Sequence, residues 1–191
     1  KLFKKRGVNI HVLKLGNPNW SDEEIEYAFK AAKAVGAKGI SMEISEETAK
    51  KMAPFADKHK MYVILHNHGQ PGRPGFSFDK ILAHGDRLML NFDVGHYFGA
   101  TGDNPVNVLN RLHHRIVSIH VKDKTGPKHR DPDKNRPFGE GETPLSDIFQ
   151  AIKSNKWPIY CDVELEYNIP SGSDAVTEVG KCVDYLKNIL K

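Results

Sequence analysis

Short apolar, β-branched runs alternate with helix-forming segments along the whole chain, and this alternation restricts the fold more than any other feature of the sequence. The runs are Val8 to Leu13, Gly39 to Ile44, Met61 to Leu65, Leu88 to Phe92, Ile116 to Val121 and Pro158 to Leu165, each of strand length and composition. Ahead of Ile25, Ala28, Phe29 and Ala32 stands the capping box Ser21-Asp22-Glu23-Glu24, and Gly36 is placed to end that helix. Further helices are predicted near Glu46 to Lys58, Phe78 to Leu82, Asn104 to Leu112, Pro144 to Ser154 and Asp174 to Leu190. Near-continuous apolar strands between helices predict an α/β fold with a parallel sheet covered by helices, either an open doubly wound sheet or a closed barrel.

The strand ends decide between the two. A nucleotide-binding open sheet carries a glycine-rich turn of the G-x-G-x-x-G or P-loop kind, and neither pattern occurs. Instead His66, Asp93, His120 and Glu164 fall at or near the ends of four successive runs, spaced by 27, 27 and 44 residues. Polar groups at the C-terminal ends of successive strands are the barrel arrangement, in which those ends converge on one site. Eight βα units take about 250 residues, so six should take roughly 190. The chain therefore reads as one domain over residues 1–191, a partial (β/α) TIM barrel that opens in the helix before the third strand. A six-stranded parallel sheet has two unpaired edges, which further chain or a second copy, as in a homo-oligomer, is expected to cover.

Two imidazoles and two carboxylates converging on a point read as a divalent-metal site, with His66, Asp93, His120 and Glu164 as ligands. His68 lies two residues beyond His66, on the same face of an extended chain, where it can hold substrate or orient the first imidazole. His96 repeats the arrangement three residues after Asp93. A strand-end Asp is also a common helix N-cap; the next helix is expected to begin only near Asn104, which favours ligation. Lys122 shares a face with His120, placed to neutralise an oxyanion or bind substrate, or else to lie as a surface lysine along its apolar stem. Asp162, Glu164 and Glu166 alternate along the last run, and the repulsion among them is costly unless a cation or partner offsets it, a metal being the simplest offset. The stretch from Lys122 to Thr143 shows no period and is expected to be a long loop over the site.

Composition excludes several classes. Lys plus Arg exceed Asp plus Glu by only 28 to 24 with no dense basic block, so no nucleic-acid footprint is expected. No apolar stretch approaches the ~20 residues that span a bilayer, so no membrane partner is expected. Cys161 and Cys182 are the only cysteines, too few for a disulfide framework, and are expected as buried thiols.

Taken in order, His66-Asn67-His68, Asp93-Val94-Gly95-His96, His120-Val121-Lys122-Asp123, Phe138-Gly139-Glu140-Gly141 and Glu164-Leu165-Glu166-Tyr167 resemble the xylose isomerase-like TIM barrels of the sugar phosphate isomerase/epimerase family. The resemblance covers essentially the whole chain. It implies one divalent metal, Mn first with Zn, Co or Mg as alternatives, held by His66, Asp93, His120 and Glu164. The departure is His66, where the family more often has Glu, which argues against a symmetrical two-base epimerisation. The implied chemistry is removal of a proton next to the carbonyl of a sugar or keto-sugar through an enediolate. Glu164 or Glu166 is the base, His68 or His96 moves a second proton, and Lys122, His68 and His96 contact substrate. Return of the proton gives isomerisation; loss of a β-oxygen gives a dehydratase or lyase. Two other readings stand beside it: an apurinic-site DNA endonuclease drawing on His96, His129 and Asp131, and a non-catalytic sugar-binding barrel.

Overall fold

The structure, a computed structural model, describes residues 2–17 and 19–191. These residues group into two compact units. The first holds the chain up to His66 together with Ser77–Asn91; the second holds Asn67–Phe76 and Phe92–Lys191.

In the first unit α1 (Leu2–Lys5), β1 (Leu13–Lys14), α2 (Asp22–Val35), β2 (Gly39–Glu43), α3 (Glu46–His59), β3 (Tyr62–His66) and α4 (Phe78–Leu82) follow one another, and β4 (Leu88–Asp93) begins. The predicted capping box forms, with the Ser21 side chain accepting from Glu24 N while Glu24 reaches back to the Ser21 backbone, and Gly36 closes α2 at φ 82°. Strands β1, β2, β3 and β4 pair in that order, all parallel. Ile40, Met42, Val63, Ile64, Leu65, Leu88 and Leu90 from the strands are buried, as are Ile25, Phe29, Ala49 and Met52 from α2 and α3, as a parallel sheet under helices requires. One strand is shorter than predicted. Only Leu13 and Lys14 join the sheet, paired with Ile40 and Ser41, whereas Val8, at the start of the predicted run, is exposed. From Val8 to Val12 the chain passes from exposed to half-buried, and none of these residues lies in the core.

In the second unit α5 (Val94–Thr101), α6 (Val106–Leu112), β5 (Ile116–Val121), β6 (Asp123–Lys124), β7 (Asn135–Arg136), α7 (Leu145–Asn155), β8 (Tyr160–Val163) and α8 (Ala175–Ile189) follow. Strands β5 and β8 are parallel, with His120 opposite Asp162. Glu164 lies just past β8, yet its N–H still donates to Val121 O at 3.0 Å, which extends the ladder by one step and fixes Glu164 beside the end of β5. Helix α5 was not predicted. It starts directly at Asp93, whose Oδ1 accepts from His96 N at 2.7 Å, so Asp93 is a helix cap after all. The predicted long loop is also partly ordered: β6 and β7 form an antiparallel pair. Of the two cysteines Cys182 is buried and Cys161 is exposed, correcting the expectation of two buried thiols.

Candidate metal and proton-transfer site

Asp93 is built into the second unit from two sides. Its backbone is clamped by the buried Asn67, whose Oδ1 accepts from Asp93 N at 3.0 Å and whose Nδ2 donates to Asp93 O at 3.1 Å. With Oδ1 committed to capping α5, Oδ2 is the oxygen turned to the site. It lies 3.0 Å from Lys122 Nζ and 3.8 Å from His120 Nδ1. Capping and ligation are therefore compatible roles, one per oxygen.

Lys122 occupies the centre. Its side chain is 2% exposed, and Nζ lies 3.0 Å from Asp93, 2.8 Å from Glu164 and 2.5 Å from Glu166. This overturns the surface-lysine alternative. Gly95 on α5 makes room for it, since a Cβ there would stand 2.3 Å from Lys122 Cγ and 2.8 Å from its carbonyl oxygen. The ammonium supplies one of the charges that the carboxylates were expected to need. Three carboxylates against one ammonium still leave two formal negative charges when the imidazoles are neutral.

Burial alone would raise the Glu164 carboxyl, but hydrogen bonds from His120 and Lys122 outweigh it and hold the group far below the usual carboxylate range. The reverse holds for Lys122: burial lowers its ammonium, and Asp93, with the bonds to Glu164 and Glu166, raises it further still. The same ion cluster thus keeps both members charged. His120 Nδ1 sits 2.7 Å from Glu164 Oε2.

His96 lies beside this cluster. Burial takes its imidazole down to about 4, reinforced by Lys122 and Lys124 and opposed by Asp93 and Glu166. Nε2 is 3.4 Å from Glu166 Oε2. His68 packs edge-on against the His96 ring at 4.8 Å between centroids. His66 closes β3 in the first unit, buried at 2% exposure, with Nδ1 3.7 Å from Glu43. The next residue along the chain, Asn67, belongs to the second unit and is the clamp on Asp93. His129 and Asp131 engage locally: His129 Nδ1 accepts from Asp131 N at 3.0 Å and Asp131 pairs with Arg136 at 3.3 Å. Among the described residues neither belongs to a group with metal-ligand spacing.

Three contributors were missed from sequence. Asn67 reads as a loop residue between two histidines. Lys124, 3% exposed, reaches Asp133 at 2.7 Å and His96 Nδ1 at 3.2 Å, although a lysine in a polar loop gives no signal of burial. Asp123 is buried and accepts from Gly139 N, Gly141 N and Thr143 N at 2.8, 3.1 and 3.1 Å. That cradle explains the Phe138-Gly139-Glu140-Gly141 motif as an anchor for the loop, and the Gly-x-Gly spacing was its available signal.

The donor set fits a divalent cation. Asp93, His120 and Glu164 each offer one ligand atom, all within 4.8 Å of one another, and mixed carboxylate and imidazole donors suit Mn, Zn or Co. The family described as "Xylose isomerase-like TIM barrel" matches residues 3–189. This chain belongs to that xylose isomerase-like family. The sequence is 26% identical over 154 residues to an inosose dehydratase of Clostridium botulinum (strain Alaska E43 / Type E3), covering 72% of this chain and 51% of that protein. The chain thus spans about half the length of that relative. A xylose isomerase domain protein from Alicyclobacillus acidocaldarius superimposes with a TM-score of 0.73 at 14% identity, covering 100% of this chain and 81% of the other. A 3-keto-D-glucoside 4-epimerase from E. coli gives 0.66 at 15% identity, covering 97% and 81%. The two structural likenesses establish the fold.

Proposed function

We propose that this xylose isomerase-like chain removes the proton next to the carbonyl of a keto-sugar or related polyhydroxy ketone, aided by one divalent cation, Mn first and otherwise Zn, Co or Mg. The observation that carries this reading is the buried Lys122 ammonium ringed by Asp93, Glu164 and Glu166, which together keep two uncompensated negative charges next to His120. Asp93, His120 and Glu164 are the proposed ligands. A cation held there supplies Lewis-acid polarisation of the carbonyl.

The chain's own groups carry the rest. Glu166 is the proposed base, since its oxygen is oriented by Lys122 at 2.5 Å and it stands outside the three-residue ligand group; Glu164 is the alternative base. Lys122 steadies the negative charge that develops on the substrate oxygen. His96 and His68, in ring contact, bind neighbouring hydroxyls and move the second proton. Return of the proton to the adjacent carbon of the enediolate completes an isomerisation.

A second outcome is favoured by the inosose dehydratase relatives, 25% to 32% identical over the matched stretches. In that outcome the carbon proton leaves to the base, the C–O bond of the β-hydroxyl breaks, and the hydroxyl departs with a proton as water. A double bond conjugated to the carbonyl remains.

The test is proton NMR in deuterated water with each metal, across keto-sugars, aldoses and keto-cyclitols. Deuterium should enter next to the carbonyl with the wild-type chain and not with Glu164→Gln or Glu166→Gln. Elimination would also show as an ultraviolet-absorbing enone with loss of one water by mass. Absence of both from the wild-type chain with every metal would refute the reading.

A further inference from the structure

We propose that Lys124 is a positioning residue that fixes His96 as the Nε2–H tautomer, so that His96 offers a hydrogen-bond donor to a substrate oxygen beside Glu166. The inference deepens the proposed function, on which its catalytic consequence rests.

An ammonium has three N–H donors and no acceptor, and Lys124 Nζ lies 3.2 Å from His96 Nδ1. Nδ1 must therefore accept, and a neutral imidazole with an accepting Nδ1 carries its proton on Nε2. That nitrogen is buried and makes no hydrogen bond to any described residue; Glu166 Oε2 is near, at 3.4 Å, without hydrogen-bonding it. A buried N–H without a partner is costly, and a substrate oxygen would satisfy it.

Lys124 is held for this task. Its N–H donates to Thr143 Oγ1 at 3.0 Å and its carbonyl accepts from Glu142 N at 2.8 Å, while β6 pairs it with Asn135. Asp133, in the left-handed region at φ 55°, reaches back to Nζ at 2.7 Å and holds it in place. Gly99 on α5 leaves the passage open, because a Cβ there would meet Asp133 Oδ1 at 2.2 Å and Lys124 Cε at 3.1 Å. The segment between β5 and α7 thus sets the proton position on a histidine of α5.

The experiment is nitrogen-15 NMR of the His96 imidazole in the metal-free chain at neutral pH, which needs neither substrate nor turnover. Wild type should show an unprotonated, hydrogen-bonded Nδ1 and a protonated Nε2. In Lys124→Met the Nδ1 resonance should move to the position of a nitrogen with no donor, and Lys124→Arg should restore it. Protonated Nδ1 in the wild-type chain would overturn the proposal even if Lys124→Met failed to fold, and so would an Nδ1 signal unmoved in Lys124→Met. In the deuterium-exchange assay Lys124→Met should lower turnover by about 10- to 100-fold, the range for partners that orient a site histidine, with Mn affinity within about twofold of wild type. Loss of Mn binding in step with turnover would assign Lys124 a merely structural role. Failure of exchange in the wild-type chain would refute the proposed function and leave the tautomer result intact.

Discussion

Replacing Lys122 by Met gives the sharpest test of how the site is balanced. The variant keeps the volume of the stem and deletes a charge that is 2% exposed and lies 2.5 to 3.0 Å from three carboxylate oxygens, one of them on the fully buried Asp93. Removing one partner from a buried ion cluster costs about 3–5 kcal/mol, because the charge left behind has no compensation. With a urea dependence of ~1–3 kcal/mol per molar, the unfolding midpoint of the metal-free chain should fall by at least about 1 M. Manganese should then restore more stability to Lys122→Met than it adds to wild type, since the variant site holds three negative charges rather than two. Saturation at a hundredfold excess over Kd contributes about 2.7 kcal/mol. Urea titrations of both proteins, with Mn and with chelator, measure all four values. A metal-free midpoint within about 0.3 M of wild type, or equal stabilisation of both by Mn, would refute the charge argument.

Two further outcomes follow from the same reasoning. Asp123→Asn should set an amide donor against one or more of the N–H groups of Gly139, Gly141 and Thr143 that now donate to the carboxylate; the loss should be about 2 kcal/mol, with faster hydrogen exchange confined to those three amides. Glu178 is lowered from the usual 4.5 to about 2 by hydrogen bonds from Lys181 and Ser173, against burial, with help from Tyr167. A depressed carboxyl stabilises the fold above its unfolded value and loses that contribution as pH falls towards 2. Glu178→Gln should therefore flatten the stability profile between about pH 4.5 and 2, and an unchanged slope there would show that the hydrogen bonds carry no linkage.

What was legible from sequence follows the strength of local signals. Helix α2 was readable at both ends because its capping box and Gly36 are chemical commitments of particular residues. Helix α5 was not, because Val94-Gly95-His96-Tyr97-Phe98-Gly99 carries two glycines and a β-branched residue, all poor helix formers. Those glycines are there for Lys122 and Lys124, whose side chains pass where a Cβ would sit, so close packing overrode propensity. Missing α5 hid the capping role of Asp93. The run from Val8 to Val12 had strand composition without the burial that makes such composition a strand. At the site, residue types with obvious ligand chemistry were found, whereas Lys124 and Asn67 act through geometry that no spacing announces. Asp93, Glu164 and Glu166 were each picked out, but a metal was taken as the simplest source of positive charge for the last strand's carboxylates, when Lys122 supplies half of the charge that a divalent cation would.

Asp93, His120 and Glu164 are proposed to hold one divalent cation. Equilibrium dialysis of the metal-stripped 191-residue chain against Mn, read by elemental analysis, tests it directly. One Mn per chain is expected for wild type and near zero for Asp93→Ala and Glu164→Ala, each checked for folding by circular dichroism. No bound metal in wild type, or undiminished binding in those variants, would contradict it.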